Sequence, residues 1–247
     1  MNIGKCKLCL KDKKLVNSHI FSEFLYESVY DEKHKFKSVS DHPNHKTTKD
    51  FQKGFREHLL CEKCDNEVIQ GYEDYAAKLL RKINSVCKDD TERIVIKPYD
   101  YTKFKLFILS LIWRCHIANN YTFDSINLNQ HAEKIRRMLL YGDAGKPSQY
   151  SFSISKIMGA EMANTIIMPP AKYKFKGHNQ YFFIAYGYYW VINLSNNSKD
   201  LIKEYSEFGL KDELPVYVTK TNKESFIQEI RDKMGEDFLE KLKNNGN

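Results

Sequence analysis

The sequence lacks any long apolar run. Its longest uncharged apolar stretch, Leu106 to Trp113, is far shorter than the roughly 20 residues that a membrane-spanning helix needs. The first residues, Met1 to Cys6, contain no apolar segment of the kind that a secretory signal carries. We therefore expect a protein with no membrane partner that resides in the cytoplasm.

Cysteine is also scarce, with six in 247 residues. A reducing compartment keeps thiols free, so a disulfide framework is not expected. Four of the cysteines form two Cys-x-x-Cys pairs, Cys6/Cys9 and Cys61/Cys64. Cys87 and Cys115 stand alone in apolar surroundings, which is typical of core residues.

Charge and composition exclude little beyond wholesale disorder. Hydrophobic residues make up 42% and charged residues 29% of the chain, close to the globular average. The net charge of +7 and the pI near 8.9 are compatible with a polyanionic partner such as nucleic acid. An ordinary solvated surface explains them equally well. The glycine and lysine spacing of a phosphate-binding loop is absent from Tyr141 to Pro147.

The two cysteine pairs are the strongest pattern in the chain. The first precedes a polar turn, Lys11 to Lys14, and so suits the tip of a hairpin. The second directly precedes apolar residues at helical spacing between Val68 and Ile83, which places Cys64 near a helix start. Two such pairs complete a tetrahedral site of four thiolates, so Cys6, Cys9, Cys61 and Cys64 are predicted to bind structural Zn²⁺. Unrelated buried cysteines, or a redox pair, are the alternatives.

Between the two pairs, Leu15 and Val16 predict a strand that leads into His19. A lone histidine is usually structural or lies at the surface. A strand that ends in histidine, enclosed by two zinc-binding pairs and followed by a helix, is the arrangement of a ββα-metal nuclease. In that chemistry an imidazole acts as general base on water, and a divalent cation stabilises the charge that develops on the phosphate.

These patterns resemble the zinc-framed branch of the HNH endonuclease superfamily. The residues that carry the resemblance are Cys6-x-x-Cys9, Ser18-His19-Ile20 and Leu60-Cys61-x-x-Cys64-Asp65, and it covers residues 5–85. Downstream, the segment from Phe107 to Arg114 resembles bacterial proteins of unassigned function that carry the same N-terminal module. The resemblance implies a bacterial or phage setting, a role in restriction or anti-phage defence, and a protein partner in a defence system.

The resemblance also assigns roles to residues. His19 matches the general base of the family, and Asp65 is the carboxylate that would hold a catalytic Mg²⁺ or Mn²⁺. Ser18 stands where many members have an acidic metal ligand, and a hydroxyl is a weak ligand for a hard cation. The middle asparagine of the family has only Asn44 as a candidate counterpart.

A basic segment with interleaved aromatic residues lies just before the second cysteine pair. Phe51 and Phe55 are interleaved there with four basic residues, predicted to bind a nucleic-acid backbone: Lys46, Lys49, Lys53 and Arg56. The alternative is a solvated loop whose two phenylalanines pack on the zinc module.

The rest of the chain completes an α+β fold. We predict a zinc-bound ββα-type (HNH-like) module over residues 1–88, followed over residues 89–247 by a helical middle and a C-terminal antiparallel sheet with a terminal helix. The predicted helices span Thr102 to Ile117, Leu128 to Leu140, and Phe226 to Leu239. The predicted strands span Arg93–Lys97, Tyr150–Ile157, Thr165–Met168, Tyr181–Tyr186, Tyr189–Leu194 and Pro215–Thr219.

Polar residues at the end of the central helix have two interpretations. Arg114 and His116 could reach an active site, but a complement to the helix dipole and a satisfied core histidine are the simpler explanations. The leading functional hypothesis is a metal-dependent endonuclease that acts on DNA or RNA. The alternative is a non-catalytic, zinc-scaffolded subunit that binds nucleic acid or another protein.

Overall fold

The computed structural model describes residues 2–39, 48–88, 91–195 and 212–234. Lys46 and Asn44 lie outside the described residues, as does the predicted end of the closing helix at Phe238 and Leu239. Within the described part, no helix has both the length and the apolar character to cross a membrane.

The N-terminal part is built around an antiparallel three-stranded sheet. Strands β1 (Ile3–Lys5) and β2 (Asp12–His19) form a hairpin, and β5 (Arg56–Cys61) pairs with the other edge of β2. The predicted hairpin around Cys6 and Cys9 and the predicted strand into His19 are therefore confirmed. Strands β3 (Lys35–Val39) and β4 (Thr48–Gln52) form a separate two-stranded sheet.

A helix follows β5 directly. It opens with a short π-helix, Cys64–Ile69, which leads into α1 (Gln70–Val86). Ala76, Leu80 and Ile83 are fully buried because they share one face of α1 at helical spacing. Strands β2 and β5 with α1 thus make a strand–strand–helix unit.

Two further helices cover this unit. Helix α2 (Tyr101–Ile117) begins at Asp100, whose side chain accepts a hydrogen bond from the Lys103 amide over 3.0 Å. It is buried nearly all round, as its continuous apolar sequence predicts. Helix α3 (His131–Tyr141) ends at Gly142, which adopts φ +70°, a conformation that glycine accepts without a steric penalty.

The C-terminal part is a six-stranded sheet in the order β6-β11-β7-β10-β9-β8. Its strands are β6 (Arg93–Ile96), β7 (Phe152–Met158), β8 (Met168–Phe175), β9 (His178–Ala185), β10 (Tyr188–Asn193) and β11 (Leu214–Lys220). Helix α4 (Lys223–Met234) follows β11 and packs on this sheet through Phe226 and Ile230. The sheet is mixed, since β11 runs parallel to β7 while the other pairs are antiparallel.

One predicted strand is wrong. The predicted segment Thr165–Met168 meets β8 only at Met168, and a 3-10 turn, Glu161–Asn164, precedes it. Strand β8 instead continues through Pro169 and Pro170, where its register with β9 shifts. Because β8 is an edge strand, prolines that cannot donate ladder hydrogen bonds are tolerated there.

The two parts share one hydrophobic core. A single cluster of buried side chains extends from Cys6 to Val216, on both sides of residue 88. Phe21, just after β2, makes an edge-to-face contact of 5.5 Å with Phe183 of β9. The C-terminal sheet and α2 therefore support the region around His19, while the division of the chain into domains at residue 88 stays a prediction.

Candidate metal centre and active site

The four paired cysteines converge on one point. Their Sγ atoms all lie within 4.8 Å of one another, and the Cys9 and Cys61 sulfurs are 4.0 Å apart. Tetrahedral coordination at a Zn–S distance of about 2.3 Å separates sulfurs by about 3.8 Å. The cluster therefore fits a structural metal ion such as zinc.

The backbone around the cluster is preformed for metal binding. The Cys61 amide donates to the Cys6 sulfur over 3.3 Å, and the Leu10 amide donates to the Cys6 carbonyl over 2.9 Å. Leu10 adopts φ +61°, which closes a tight turn after Cys9. Tight turns of this kind aim two thiols to the same side.

Arg136 of α3 holds the tip of this turn. Its Nη1 donates to the Leu8 carbonyl, and its other terminal nitrogen pairs with Glu133 over 2.7 Å. A Zn²⁺ with four thiolates carries two net negative charges, so a cation at this position is favourable. The sequence alone offers no signal for this contact, because 128 residues separate Arg136 from Leu8.

His19 lies at the end of β2, with its side chain 19% exposed. Its Nε2 is 2.6 Å from the Glu23 carboxylate and accepts a hydrogen bond from the Arg56 Nε over 2.8 Å. The Tyr30 hydroxyl donates to the other Glu23 oxygen over 2.8 Å. The motifs did not single out Glu23, although its position four residues after His19 is the signal that could have revealed it.

The surroundings favour the neutral form of the His19 imidazole. Burial lowers the pKa of His19, and the charge of Arg56 lowers it further, while Glu23 opposes both effects. A neutral imidazole near neutral pH is the form that can accept a proton from water.

Arg56 and Glu23 compete for the same ring nitrogen. Nε2 cannot accept a hydrogen bond from Arg56 and donate one to Glu23 at the same time. Arg56 makes the well-aligned hydrogen bond, and the nearer Glu23 oxygen is buried without a hydrogen-bond partner among the described residues. In this arrangement the arginine covers the nitrogen lone pair of His19.

Arg56 also has unused hydrogen-bonding capacity. Its Nε donates to the Lys53 carbonyl over 3.1 Å as well as to His19. Across the described ranges, its two terminal nitrogens make no hydrogen bond. A half-buried guanidinium with two free donor groups is suited to a phosphate oxygen.

Asp65 lies in the first turn of the helix, where its carboxyl interacts with the Ser18 hydroxyl and with the charge of His19. Burial raises the pKa of the Asp65 carboxyl, while the Ser18 hydroxyl hydrogen bond and the charge of Arg114 oppose the rise. The predicted general base and the predicted carboxylate therefore interact electrostatically. Ser18, which is fully buried, serves Asp65 as a hydrogen-bond partner.

Asp65 belongs to no group of three or more potential metal ligands among the described residues. In the part of the chain that the structure describes, the cysteine cluster is the one group of three or more His, Cys, Asp or Glu side chains with ligand atoms close enough for a metal. Mg²⁺ often binds through one or two carboxylates together with water and substrate phosphates. Asp65 fits that mode of binding.

The predicted basic segment is partly a strand. Phe51 and Phe55 lie 4.7 Å apart in an aromatic cluster, as expected if both pack on the module. Lys53 is exposed at the turn after β4, and Lys49 lies within β4. Among the four basic residues predicted to bind nucleic acid, Arg56 forms a hydrogen bond with His19.

Arg114 of α2 reaches the same site. Its guanidinium is 1% exposed and donates to the His19 carbonyl over 2.8 Å. It also pairs with Glu73 of α1 over 2.6 Å. Arg114 lies in the last turn of α2, as expected of a complement to the helix dipole, and it also contacts the predicted general base. His116 is half-buried with Nδ1 3.3 Å from the Ile126 carbonyl, as expected of a satisfied histidine.

Comparisons of this chain with protein-family models, with curated proteins and with solved structures found no match. The likeness to HNH endonucleases therefore rests on the residues themselves. The observation independent of that likeness is the four-cysteine cluster.

Proposed function

We propose that this protein is a metal-dependent endonuclease of HNH type that hydrolyses phosphodiester bonds in DNA. One observation carries the proposal: His19 ends one strand of an antiparallel pair, and Asp65 begins the helix that follows the second strand. The cysteine cluster joins the start of β2 to the end of β5 and to the start of this helix. The electrostatic interaction between His19 and the Asp65 carboxyl supports their roles as base and cation ligand of one site.

His19 supplies the base. Its lowered pKa leaves the imidazole neutral and able to take a proton from an attacking water. The water oxygen bonds to phosphorus, and the bond from phosphorus to the leaving oxygen breaks. Glu23, 2.6 Å from Nε2, stabilises the imidazolium that forms.

Arg56 links substrate binding to activation of the base. A phosphate oxygen is a stronger acceptor for its guanidinium than a neutral imidazole. When Arg56 turns to a phosphate, His19 Nε2 is released from the hydrogen bond that covers it in the free protein.

Asp65 would hold the catalytic Mg²⁺ or Mn²⁺. Such a cation, when bound, neutralises charge on the phosphate and on the leaving oxygen. Ser18 contributes by orienting the Asp65 carboxylate through its hydroxyl.

The second candidate is a non-catalytic scaffold that binds nucleic acid or serves as a protein-interaction subunit. The hydrogen bond from Arg56 to His19 Nε2 favours it, because this contact occupies the base. Nucleic-acid binding would weaken steeply with salt, whereas an apolar protein interface would change little. A role in restriction or anti-phage defence, with a protein partner, is proposed from the resemblance alone.

The decisive experiment is cleavage of supercoiled plasmid by metal-analysed protein with Mg²⁺ or Mn²⁺, with an RNA substrate in parallel. His19→Ala is the test variant, and His58→Ala is the matched control because His58 is an exposed histidine on β5. We expect near one zinc per chain, cleavage by the wild type and the control, and none by His19→Ala. Zinc without cleavage of either polymer would refute the nuclease proposal and favour the scaffold.

A further inference from the structure

A buried charge network connects His19 to a helix outside the segment that resembles HNH endonucleases. Arg114 lies on α2, beyond residue 85, and its Nη1 donates to the His19 carbonyl over 2.8 Å. The next residue amide, that of Ile20, donates to the Phe55 carbonyl over 2.9 Å. The guanidinium thus holds the last carbonyl of β2, at the residue that carries the imidazole.

The same guanidinium also holds the turn that carries Glu23. Its Nη2 donates to the Ser22 hydroxyl over 3.1 Å, and that hydroxyl donates to Glu73 over 2.5 Å. Ser22 is the residue immediately before the 3-10 turn Glu23–Tyr26. Both partners in the contact between His19 and Glu23 are therefore anchored to one side chain.

The network is buried, and its charges balance. Glu73 balances the charge of Arg114 at 2.6 Å, and the Ser110 carbonyl accepts from Nε over 3.3 Å. Ser22 and Arg114 are no more than 1% exposed, and Glu73 is 8% exposed. Water cannot replace these bonds, so the geometry is set by the planar fork of the guanidinium.

We propose that Arg114 is a positioning residue for His19, supplied from outside the nuclease-like module. It fixes the end of β2 and the following turn, so that the imidazole and the Glu23 carboxylate meet in one geometry. The inference rests on the proposed function, because the geometry it protects is that of the general base. It predicts that residues 1–88 require α2 for activity.

Arg114→Lys is the test variant, since lysine keeps the charge but cannot reach His19, Ser22 and Glu73 from one planar group. Ser110→Ala is the matched control: it removes a hydroxyl 3.5 Å from Nη2 of the same guanidinium, on α2 itself, and leaves the bond to the His19 carbonyl in place. Ser22→Ala serves as the second test variant if Arg114→Lys does not fold. Zinc content and circular dichroism verify folding.

Two readouts decide the outcome. The first is the His19 imidazole NMR signal and its pH titration, assigned by its absence in His19→Ala. The second is cleavage of a duplex DNA with Mn²⁺. We expect a changed His19 signal and titration in Arg114→Lys, with kcat lower by roughly 100-fold and KM within about twofold, as displacement of a reacting group by about 1 Å produces.

The NMR readout keeps this inference separate from the proposed function. If the wild type cleaves nothing, the proposed function fails, and the His19 signal alone decides whether Arg114 positions the imidazole. A folded Arg114→Lys, or in its place Ser22→Ala, with wild-type His19 signals and titration would overturn the inference. So would a loss of kcat no larger than that of Ser110→Ala.

Discussion

The buried pair of Arg114 and Glu73 offers a quantitative test of the structure through protein stability. Replacing Arg114 with methionine keeps much of the side-chain volume but leaves Glu73 without its partner at 2.6 Å. Glu73 is 8% exposed, so its carboxylate, once unpaired, would be poorly solvated by water. The His19 carbonyl loses its donor in the same variant.

We expect Arg114→Met to lower the free energy of unfolding by about 3–5 kcal/mol, the usual loss when one partner of a buried ion pair is removed. Glu73→Met should cost a similar amount, because it strands the guanidinium. The double variant leaves no unpaired charge, so its loss should fall short of the sum of the single losses by at least about 2 kcal/mol.

The assay is urea unfolding of the zinc-loaded protein, followed by circular dichroism and by the fluorescence of the two buried tryptophans, Trp113 and Trp190. The four proteins form a double-mutant cycle. Additive losses, with a coupling energy below about 0.5 kcal/mol, would show that the two side chains do not form a buried pair.

Three further outcomes follow from the site. Cys9→Ser should lose zinc, and unchanged zinc content would refute the four-cysteine site. The midpoint of its thermal unfolding should fall by about 10 °C, because each kcal/mol of lost unfolding free energy lowers the midpoint by roughly 2–4 °C in a chain of this size. Cleavage should decline with acid only below the ordinary pKa of histidine, because burial and Arg56 lower the pKa of His19. Arg56→Gln removes one lowering cause and should move that decline to higher pH, so a shift to lower pH would contradict the assignment. Gly54→Ala should cost about 1–3 kcal/mol in chemical unfolding, because Gly54 adopts φ +67° and an added Cβ would lie 2.7 Å from Tyr26; an unchanged midpoint would refute this.

Local patterns predicted the four-cysteine cluster and the secondary structure next to it. Two Cys-x-x-Cys pairs need only tight turns, and Leu15 and Val16 need only alternation, to indicate a hairpin and a strand that leads to His19. The continuous apolar sequence of α2 predicted its burial for the same reason. These features depend on neighbours within a few residues.

Pairing over long distances was not accessible in the same way. The parallel pairing of β11 with β7 joins residues about 60 positions apart, and no periodicity encodes which strand lies beside which. The two prolines of β8 do not fit the pattern of a central strand, so the sequence did not predict the full extent of β8. They are tolerated because β8 lies at the edge of the sheet.

The sequence by itself determined the chemical parts of the site: four thiols at metal-binding spacing, a histidine at a strand end and a carboxylate at a helix start. Only the tertiary structure decided how they are controlled. It brought Arg56 and Glu23 to the Nε2 atom of the imidazole and Arg114 to the backbone carbonyl of the same histidine, over separations of up to 95 residues. The reason is physical: a buried charge or hydrogen bond depends on which surfaces meet in the fold, and not on the spacing of residues along the chain.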